Sequence, residues 1–229
     1  MDAPLRYVAW INDHVGFNPR AQGHSNALCS FIDNDLRASI SSLRRLLESE
    51  GAIFDLNIDV PIGGGPFSRN IDMGYRLSAT SAEVIMSVEN KTTMTAHGRA
   101  RKNRLGDLLA YCMHLHSHHP KAVAGFSIVI NGAQTYKNPD EFSEVAKHKA
   151  VLKPHELEAT VDLFRKVSLR RKPTEKGDRP EALAIVLVEY DGLNPAKLLA
   201  RPPAPQPGEP NHYETFVRLM GERFNERFS

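Results

Sequence analysis

The chain has few of the features that mark secreted, membrane-bound or disulfide-rich proteins. It holds only two cysteines in 229 residues, Cys29 and Cys112, which lack metal-ligand spacing and fit a reducing compartment. No stretch reaches the roughly 18 apolar residues that a membrane span needs. Residues 1–4 show no basic region before an apolar run, so we expect no signal peptide. We therefore expect a soluble, cytoplasmic protein that has no membrane partner.

Several well-known site motifs are also missing. Gly63 to Gly65 are not followed by Gly-Lys-Ser/Thr, which excludes a common nucleotide-phosphate loop. There is no Gly-x-Ser-x-Gly elbow of a serine hydrolase. The formal charge is only +2, so no overall field indicates nucleic acid. No cysteine or acid nearby in sequence completes a tetrahedral zinc site with the histidines at 114, 116, 118 and 119, and we interpret them as surface or helix-end residues.

Hydrophobic periodicity predicts an α/β fold with a central mixed β-sheet flanked by helices. Asp33 and Asp35 offer capping carboxylates for a helix predicted at residues 36–49. Residues 18–26 are predicted to form a loop. Helices are predicted at 36–49, 99–118, from Pro154 and at 211–229, and strands at 53–62, 71–80, 83–91, 122–130 and 182–188.

The composition indicates one main domain with a short appendage. A chain of this length with 41% hydrophobic residues can bury a full core. We expect a single domain over residues 1–200, with its central part at about 36–130. Residues 201–210 contain five prolines and predict a semi-rigid linker. Residues 211–229 predict an amphipathic helix, which could dock on a partner or on its own core.

The run Glu89-Asn90-Lys91 is the most informative motif because it ends a predicted strand. Alternation puts Glu89 and Lys91 on one face, together with Ile85 and Ser87 and opposite Val84, Met86 and Val88. Asp72 lies on the preceding strand. Two carboxylates can hold Mg²⁺ beside a phosphate, and a lysine can orient water there.

Two other interpretations of these acids stay open. Glu89 and Lys91 could form an ordinary ion pair on a strand while Asp72 caps a turn. Asp59 could replace Asp72 as the first acid, although its position before Pro61 is more typical of a turn carboxylate.

Basic residues follow the lysine at the start of the predicted helix 99–118. Cations at a helix N-terminus oppose the helix dipole, so a purely structural reason for them is weak. We interpret His97, Arg99, Arg101 and Arg104 as DNA-binding residues, with the arginines contacting the DNA backbone and His97 near the site. A solvated helix face is the alternative, and a second basic cluster at 165–179 has the same two interpretations.

The element order and the three residues together resemble the PD-(D/E)xK nuclease superfamily, which includes many type II restriction endonucleases. The resemblance covers about residues 36–130 and implies a restriction-endonuclease-like core. It implies that Asp72 is the first acid, Glu89 the second acid and Lys91 the lysine. It also implies that the carbonyl of Asn90 is a further metal ligand.

Some positions complete or depart from the pattern of that superfamily. Members often add a glutamate from the first helix, for which Glu50 or Glu48 is the candidate. Ile71 stands where many members have proline. Asp107 and Tyr111 have the spacing of the Gln-x-x-x-Tyr of the exonuclease branch but without the glutamine, which argues against that branch.

These observations predict a Mg²⁺-dependent endonuclease that hydrolyses phosphodiester bonds of double-stranded DNA, of restriction or related defence type. Because two strands need two cuts, we expect a homodimer. A structure-selective DNA repair nuclease could use the same site. From a different class, a non-catalytic nucleic-acid-binding module could carry the motif by coincidence.

Overall fold

The computed structural model describes residues 2–14, 22–61, 68–94, 96–136, 150–151 and 153–229. The expected turn at Gly63 to Gly65 lies outside these ranges. None of the described helices is both long and apolar enough to cross a membrane. In chain order the elements are α1 (Ala3–Asp13), α2 (Gln22–Ser39), α3 (Ser41–Ser49), β1 (Ile53–Pro61), β2 (Ser68–Arg76), β3 (Val84–Thr93), α4 (His97–His118), β4 (Val123–Asn131), β5 (Thr135–Tyr136), β6 (Ala150–Val151), α5 (Pro154–Arg165), β7 (Ala182–Glu189), β8 (Lys197–Leu198) and α6 (Tyr213–Phe228).

A six-stranded mixed sheet in the order β1-β2-β3-β4-β7-β8 forms the centre of the molecule. β1, β2 and β3 are antiparallel neighbours, whereas β3, β4 and β7 run parallel. Parallel neighbours need a crossover connection, which α4 provides between β3 and β4 and α5 between β4 and β7. The short β8 adds an antiparallel edge, and β5 pairs only with β6. The predicted α/β fold with a central mixed sheet is confirmed.

The sheet is covered on both faces, as the continuous apolar run of β7 requires. One set of its side chains packs with α1, α2, α3 and α6, and the alternate set packs with α4 and α5. The first set is Ala182, Ala184, Val186 and Val188, and the second is Leu183, Ile185 and Leu187.

The N-terminal helices differ from the prediction. The helix expected at 36–49 is two helices, because the backbone at Ile40 is extended (φ −113°, ψ 93°) between α2 and α3. The loop expected at 18–26 is helical from Gln22 onward. The helical prediction therefore had the right region but the wrong boundaries.

The acids expected to cap that helix instead point into the protein from within α2. Asp33 accepts a hydrogen bond from the hydroxyl of Tyr75 at 2.6 Å, which ties α2 to β2. Asp35 accepts one from the backbone N–H of Ala3 at 2.7 Å, so it satisfies the start of α1. These tertiary contacts outweigh the turn preference of aspartate.

The C-terminal helix docks on the protein's own sheet. Phe216, Met220 and Phe224 of α6 are fully buried against β4 and β7. Gly125 of β4 permits this close approach, since an added Cβ would stand 3.0 Å from Met220 and Phe216. The apolar side of α6 is therefore used within the chain.

The proline-rich segment before α6 is held to the domain. The side-chain amide of Gln206 donates to the carbonyls of Ala200 and Ala204 at 3.0 and 2.8 Å. Glu209 pairs with Arg165 of α5 at 3.1 Å. The proline-rich segment thus packs on the surface of the domain whose core includes α6.

A buried ionic network also fastens α6. The carboxylate of Glu181 is 0% exposed and lies 3.1 Å from Arg170 and 2.9 Å from Arg227 of α6. Its other oxygen accepts from His116 at 3.2 Å and from the N–H of Ala124 at 2.8 Å. Burial alone would raise the pKa of Glu181, but these hydrogen bonds and charges outweigh burial and lower it.

We expect Glu181→Ala to lower the free energy of unfolding by about 3–5 kcal/mol, because it leaves buried arginines without their counter-ion. Urea denaturation measures this loss. The matched control is Glu222→Ala, which breaks an exposed pair with Arg218 on α6 and should cost less than about 1 kcal/mol. Equal losses of unfolding free energy in the two variants would contradict the stabilising role of the buried network.

The same network predicts how stability depends on pH. The folded-state pKa of Glu181 lies below its ordinary value of 4.5, so its contribution is present above that value. It is lost as pH falls through the lower, folded-state pKa. Urea denaturation across this acidic range should show a steeper loss for the natural chain than for Glu181→Gln. Identical slopes would count against this assignment.

Candidate functional site

The candidate site lies where β2 and β3 stop pairing. Their backbone ladder runs from Arg76↔Val84 to Met73↔Val88. At the next position the backbone N–H of Asp72 donates to Glu89 Oε2 at 3.3 Å. The N–H of Asn90 in turn donates to Asp72 Oδ2 at 2.7 Å. Each carboxylate thus replaces a ladder partner of the opposite strand, which fixes both acids in one gap.

Three oxygens of this gap surround the ammonium group of Lys91. Its Nζ lies 2.6 Å from Glu89 Oε1 and 3.6 Å from Asp72 Oδ2. It also donates to the carbonyl of Asn90 at 3.2 Å. The structure therefore brings together Asp72, Glu89, Asn90 and Lys91, as the sequence predicted. The three oxygens around this cation are the same atoms expected to hold a metal.

A β-bulge interrupts β3 before the residues of the site. Tyr75 pairs with Met86 but Arg76 pairs with Val84, so Ile85 is an extra residue. Ile85 consequently packs with the α2 side and Val84 with the α4 side, the reverse of the predicted alternation. After the bulge the alternation holds, and the hydroxyl of Ser87 meets that of Tyr111 on α4 at 2.8 Å.

Asn90 links the site to the opposite face of the sheet. Its side-chain amide donates to Cys29 Sγ of α2 at 2.9 Å, and both residues are buried. Its backbone N–H holds Asp72, and its carbonyl accepts from Lys91. One residue therefore positions the first acid, contacts the lysine and anchors in the helical layer behind the strand.

Burial is the main influence on the pKa of Glu89, whose side chain is only 3% exposed. Burial raises the pKa of Glu89, and the neighbouring charge of Asp72 raises it further. Lys91 and Arg69 oppose this shift without cancelling it. The ionised carboxylate is therefore under-compensated in the folded protein, which is a property of groups that gain from binding a further cation.

Arg69 belongs to the site although the sequence did not indicate it. Its Nη2 lies 3.1 Å from Glu89 Oε1 and donates to the carbonyl of Asp107 on α4 at 3.3 Å. The predicted strand began at residue 71, whereas β2 begins at Ser68. Only the correct start of β2 would have indicated Arg69, and hydrophobic periodicity locates the ends of strands poorly.

The predicted basic residues of α4 are not equivalent. Arg104 donates to the carbonyl of Thr92 at 3.1 Å and to Asp107 at 2.8 Å, so it lies beside the end of β3. Arg99 is exposed and Arg101 is partly exposed. These three arginines lie on the first turns of the helix that covers the site face.

His97 is placed differently from the prediction that it contacts DNA. It is buried, and its Nε2 donates to the carbonyl of Asn131 at 2.8 Å. Burial also lowers the pKa of His97. The ring connects the start of α4 to the end of β4, because α4 begins at His97 itself rather than at Arg99. It is not presented to a phosphate at the surface.

The structure does not bring Glu50 to the two acids. Its carboxylate pairs with Arg45 at 2.9 Å and is 46% exposed. The strand that follows begins at Ile53, which pairs with Arg76. About 13 Å of β2 separates Arg76 from Asp72 at the usual strand rise. Glu48 is exposed on α3, so the helix supplies neither candidate acid.

The ligands available for a metal are therefore few. In the part of the chain that the structure describes, no group of three or more His, Cys, Asp or Glu side chains could hold a metal ion. Among the histidines at 114–119, which we interpreted as surface or helix-end residues, His116 is instead buried and contacts Glu181. Asp72, Glu89 and the carbonyl of Asn90 still fit Mg²⁺, which binds few protein carboxylates and keeps several waters.

Comparison of the chain with models of known protein families, with curated proteins and with solved structures gave no match.

We expect Glu89→Gln to raise the free energy of unfolding at neutral pH. The raised folded-state pKa means that ionised Glu89 costs stability once pH rises through it, and an amide avoids that cost. Urea denaturation at neutral pH and below 4.5, the ordinary value for this group, should show the gain shrinking in acid. Glu83→Gln, at an exposed position before β3, should change stability by less than about 0.5 kcal/mol.

Proposed function

We propose that the chain is a Mg²⁺-dependent endonuclease that hydrolyses phosphodiester bonds of double-stranded DNA, of restriction or related defence type. The supporting observation is that oxygens of Asp72, Glu89 and Asn90 all contact the one ammonium of Lys91, at 3.6, 2.6 and 3.2 Å. Oxygen ligands of this kind can hold Mg²⁺, and a lysine at the same place can orient water or offset charge on a phosphate, as metal-assisted phosphate hydrolysis requires.

In this proposal Asp72, Glu89 and the Asn90 carbonyl would hold Mg²⁺, which supplies activation of a water and compensation of charge on the phosphate. The chain's own residues fix the geometry. Asp72 and Glu89 are aimed by the backbone N–H groups that they accept. Lys91 is partly exposed at the same point, where it can donate to the attacking water or to a phosphate oxygen.

Arg99, Arg101 and Arg104 would bind the DNA backbone. They lie at the start of α4, and Arg104 is tied to the carbonyl of Thr92, the residue after Lys91. A duplex bound there would be held by charge rather than by base contacts, so its affinity should fall with salt. His97 is not part of this surface, because it is buried.

The proposed enzyme acts as a homodimer, since two strands require two cuts. The dimer interface is not the apolar side of α6, because that side packs on β4 and β7 of its own chain. The proposed assembly therefore uses another surface.

We expect the purified chain to cut plasmid DNA with Mg²⁺ and not with a chelator. Asp72→Asn and Lys91→Met should each lower the rate about a hundredfold or more, because a bound cation contributes several kcal/mol to such reactions. Asp59→Asn is the matched control, since Asp59 is an exposed acid on the neighbouring strand. Circular dichroism verifies that every variant is folded.

The pattern of products separates the nuclease types. Cutting at fixed sites supports the restriction type, whereas preference for branched or flapped substrates supports a repair nuclease. If no single-stranded, duplex or branched substrate is cut with Mg²⁺ or Mn²⁺, the nuclease proposal is wrong. Binding that is unaffected by the site variants would then indicate a non-catalytic module.

A further inference from the structure

The carboxylate of Glu89 is shared by two cations of the chain itself. Lys91 Nζ lies 2.6 Å and Arg69 Nη2 lies 3.1 Å from the same oxygen, Oε1. The other oxygen, Oε2, accepts the N–H of Asp72 at 3.3 Å. Both oxygens of this buried group are therefore engaged by protein donors.

A metal ion that binds Glu89 must then compete for Oε1 with two positive charges. A metal ion at Oε1 would lie close to both the Lys91 ammonium and the Arg69 guanidinium. Like charges this close repel strongly in a partly buried site, because water and salt screen them little. Lys91 has a role in the proposed reaction that explains its presence. The proposed reaction gives no role to Arg69, although Arg69 contacts the same oxygen of Glu89 as Lys91.

Arg69 can leave Glu89 without losing its place. Its Nη2 also donates to the carbonyl of Asp107 at 3.3 Å, and its side chain is 21% exposed. Its Nε is buried without a hydrogen-bond partner among the described residues. A guanidinium has five N–H donors and matches phosphate geometry, so donors remain for a further anionic group.

We propose that Arg69 is a substrate-binding residue of the site: it neutralises Glu89 in the metal-free protein, is displaced from it by the metal ion, and then binds a phosphate oxygen of the substrate. This rests on the proposed function, because it takes the two carboxylates as the cation site. Removing Arg69 should have opposite effects on two properties. Metal binding should tighten because a competitor is gone, and cleavage should slow because a phosphate contact is gone.

The test measures the dissociation constant of Mn²⁺ by isothermal titration calorimetry, since Mn²⁺ accepts the same oxygen ligands as Mg²⁺. Arg69→Met and Arg69→Gln should each bind Mn²⁺ about tenfold more tightly than the natural chain, a difference of about 1.4 kcal/mol. The matched control is Arg76→Met, on the same strand, whose arginine is 27% exposed and pairs with Asp55. It should leave Mn²⁺ affinity unchanged.

Cleavage of plasmid DNA at saturating Mg²⁺ provides the second readout. Arg69→Met should cut at least about tenfold more slowly, and Arg69→Lys should restore part of the rate, which a purely structural role would not produce. Unchanged or weaker Mn²⁺ affinity in both Arg69→Met and Arg69→Gln would overturn the proposal, as would an unchanged cleavage rate. A natural chain that binds Mn²⁺ but cuts no DNA would refute the nuclease function, while the comparison of Mn²⁺ affinities would still decide whether Arg69 competes with the metal.

Discussion

The candidate site depends on the end of the β2–β3 ladder at Met73↔Val88. A backbone N–H that loses its strand partner inside a protein must find another acceptor. Asp72 and Glu89 are these acceptors, since Glu89 accepts the N–H of Asp72 and Asp72 accepts the N–H of Asn90. The acids therefore have a structural reason to lie where they do. Backbone N–H groups as well as side chains hold them in place, which is the kind of support that a precise site needs.

β3 keeps its position despite losing β2 as a neighbour. It continues to pair with β4 from Met86↔Val123 to Thr93↔Ile130, so Lys91 lies on a strand that is fixed from one side. On the other side, the carboxylates of Asp72 and Glu89 take the place of a strand ladder. β2 separates from β3 while β4 continues to pair with it, which creates the gap that holds the two acids.

Sequence reasoning was most successful where local period and burial agree. β7 is a short apolar run covered on both faces, and α6 keeps its stripe through Phe216, Met220 and Phe224. It was least successful in α2, whose Asp33 and Asp35 favour turns and caps in isolation. Their contacts to Tyr75 and Ala3 come from distant parts of the chain, which no local pattern encodes.

The same distinction applies to the site. Glu89, Asn90 and Lys91 are adjacent on one strand, so spacing alone places them, and Asp72 follows from the neighbouring strand. Arg69 depended on the exact start of β2, and His97 on the start and rotation of α4. A bulge at Ile85 changes the direction of side chains before it. One inserted residue of this kind is invisible to a count of alternating residues.

Asn90 gives the protein a connection through the thickness of the sheet. Its side chain is bound to Cys29 on α2, while its backbone holds the carboxylate of Asp72 in front of the strand. A shift of α2 relative to β3 would be transmitted as a displacement of that carboxylate, without a change in any residue of the site. The geometry of the acids on one side is thus mechanically coupled to how tightly the helices on the other side are packed.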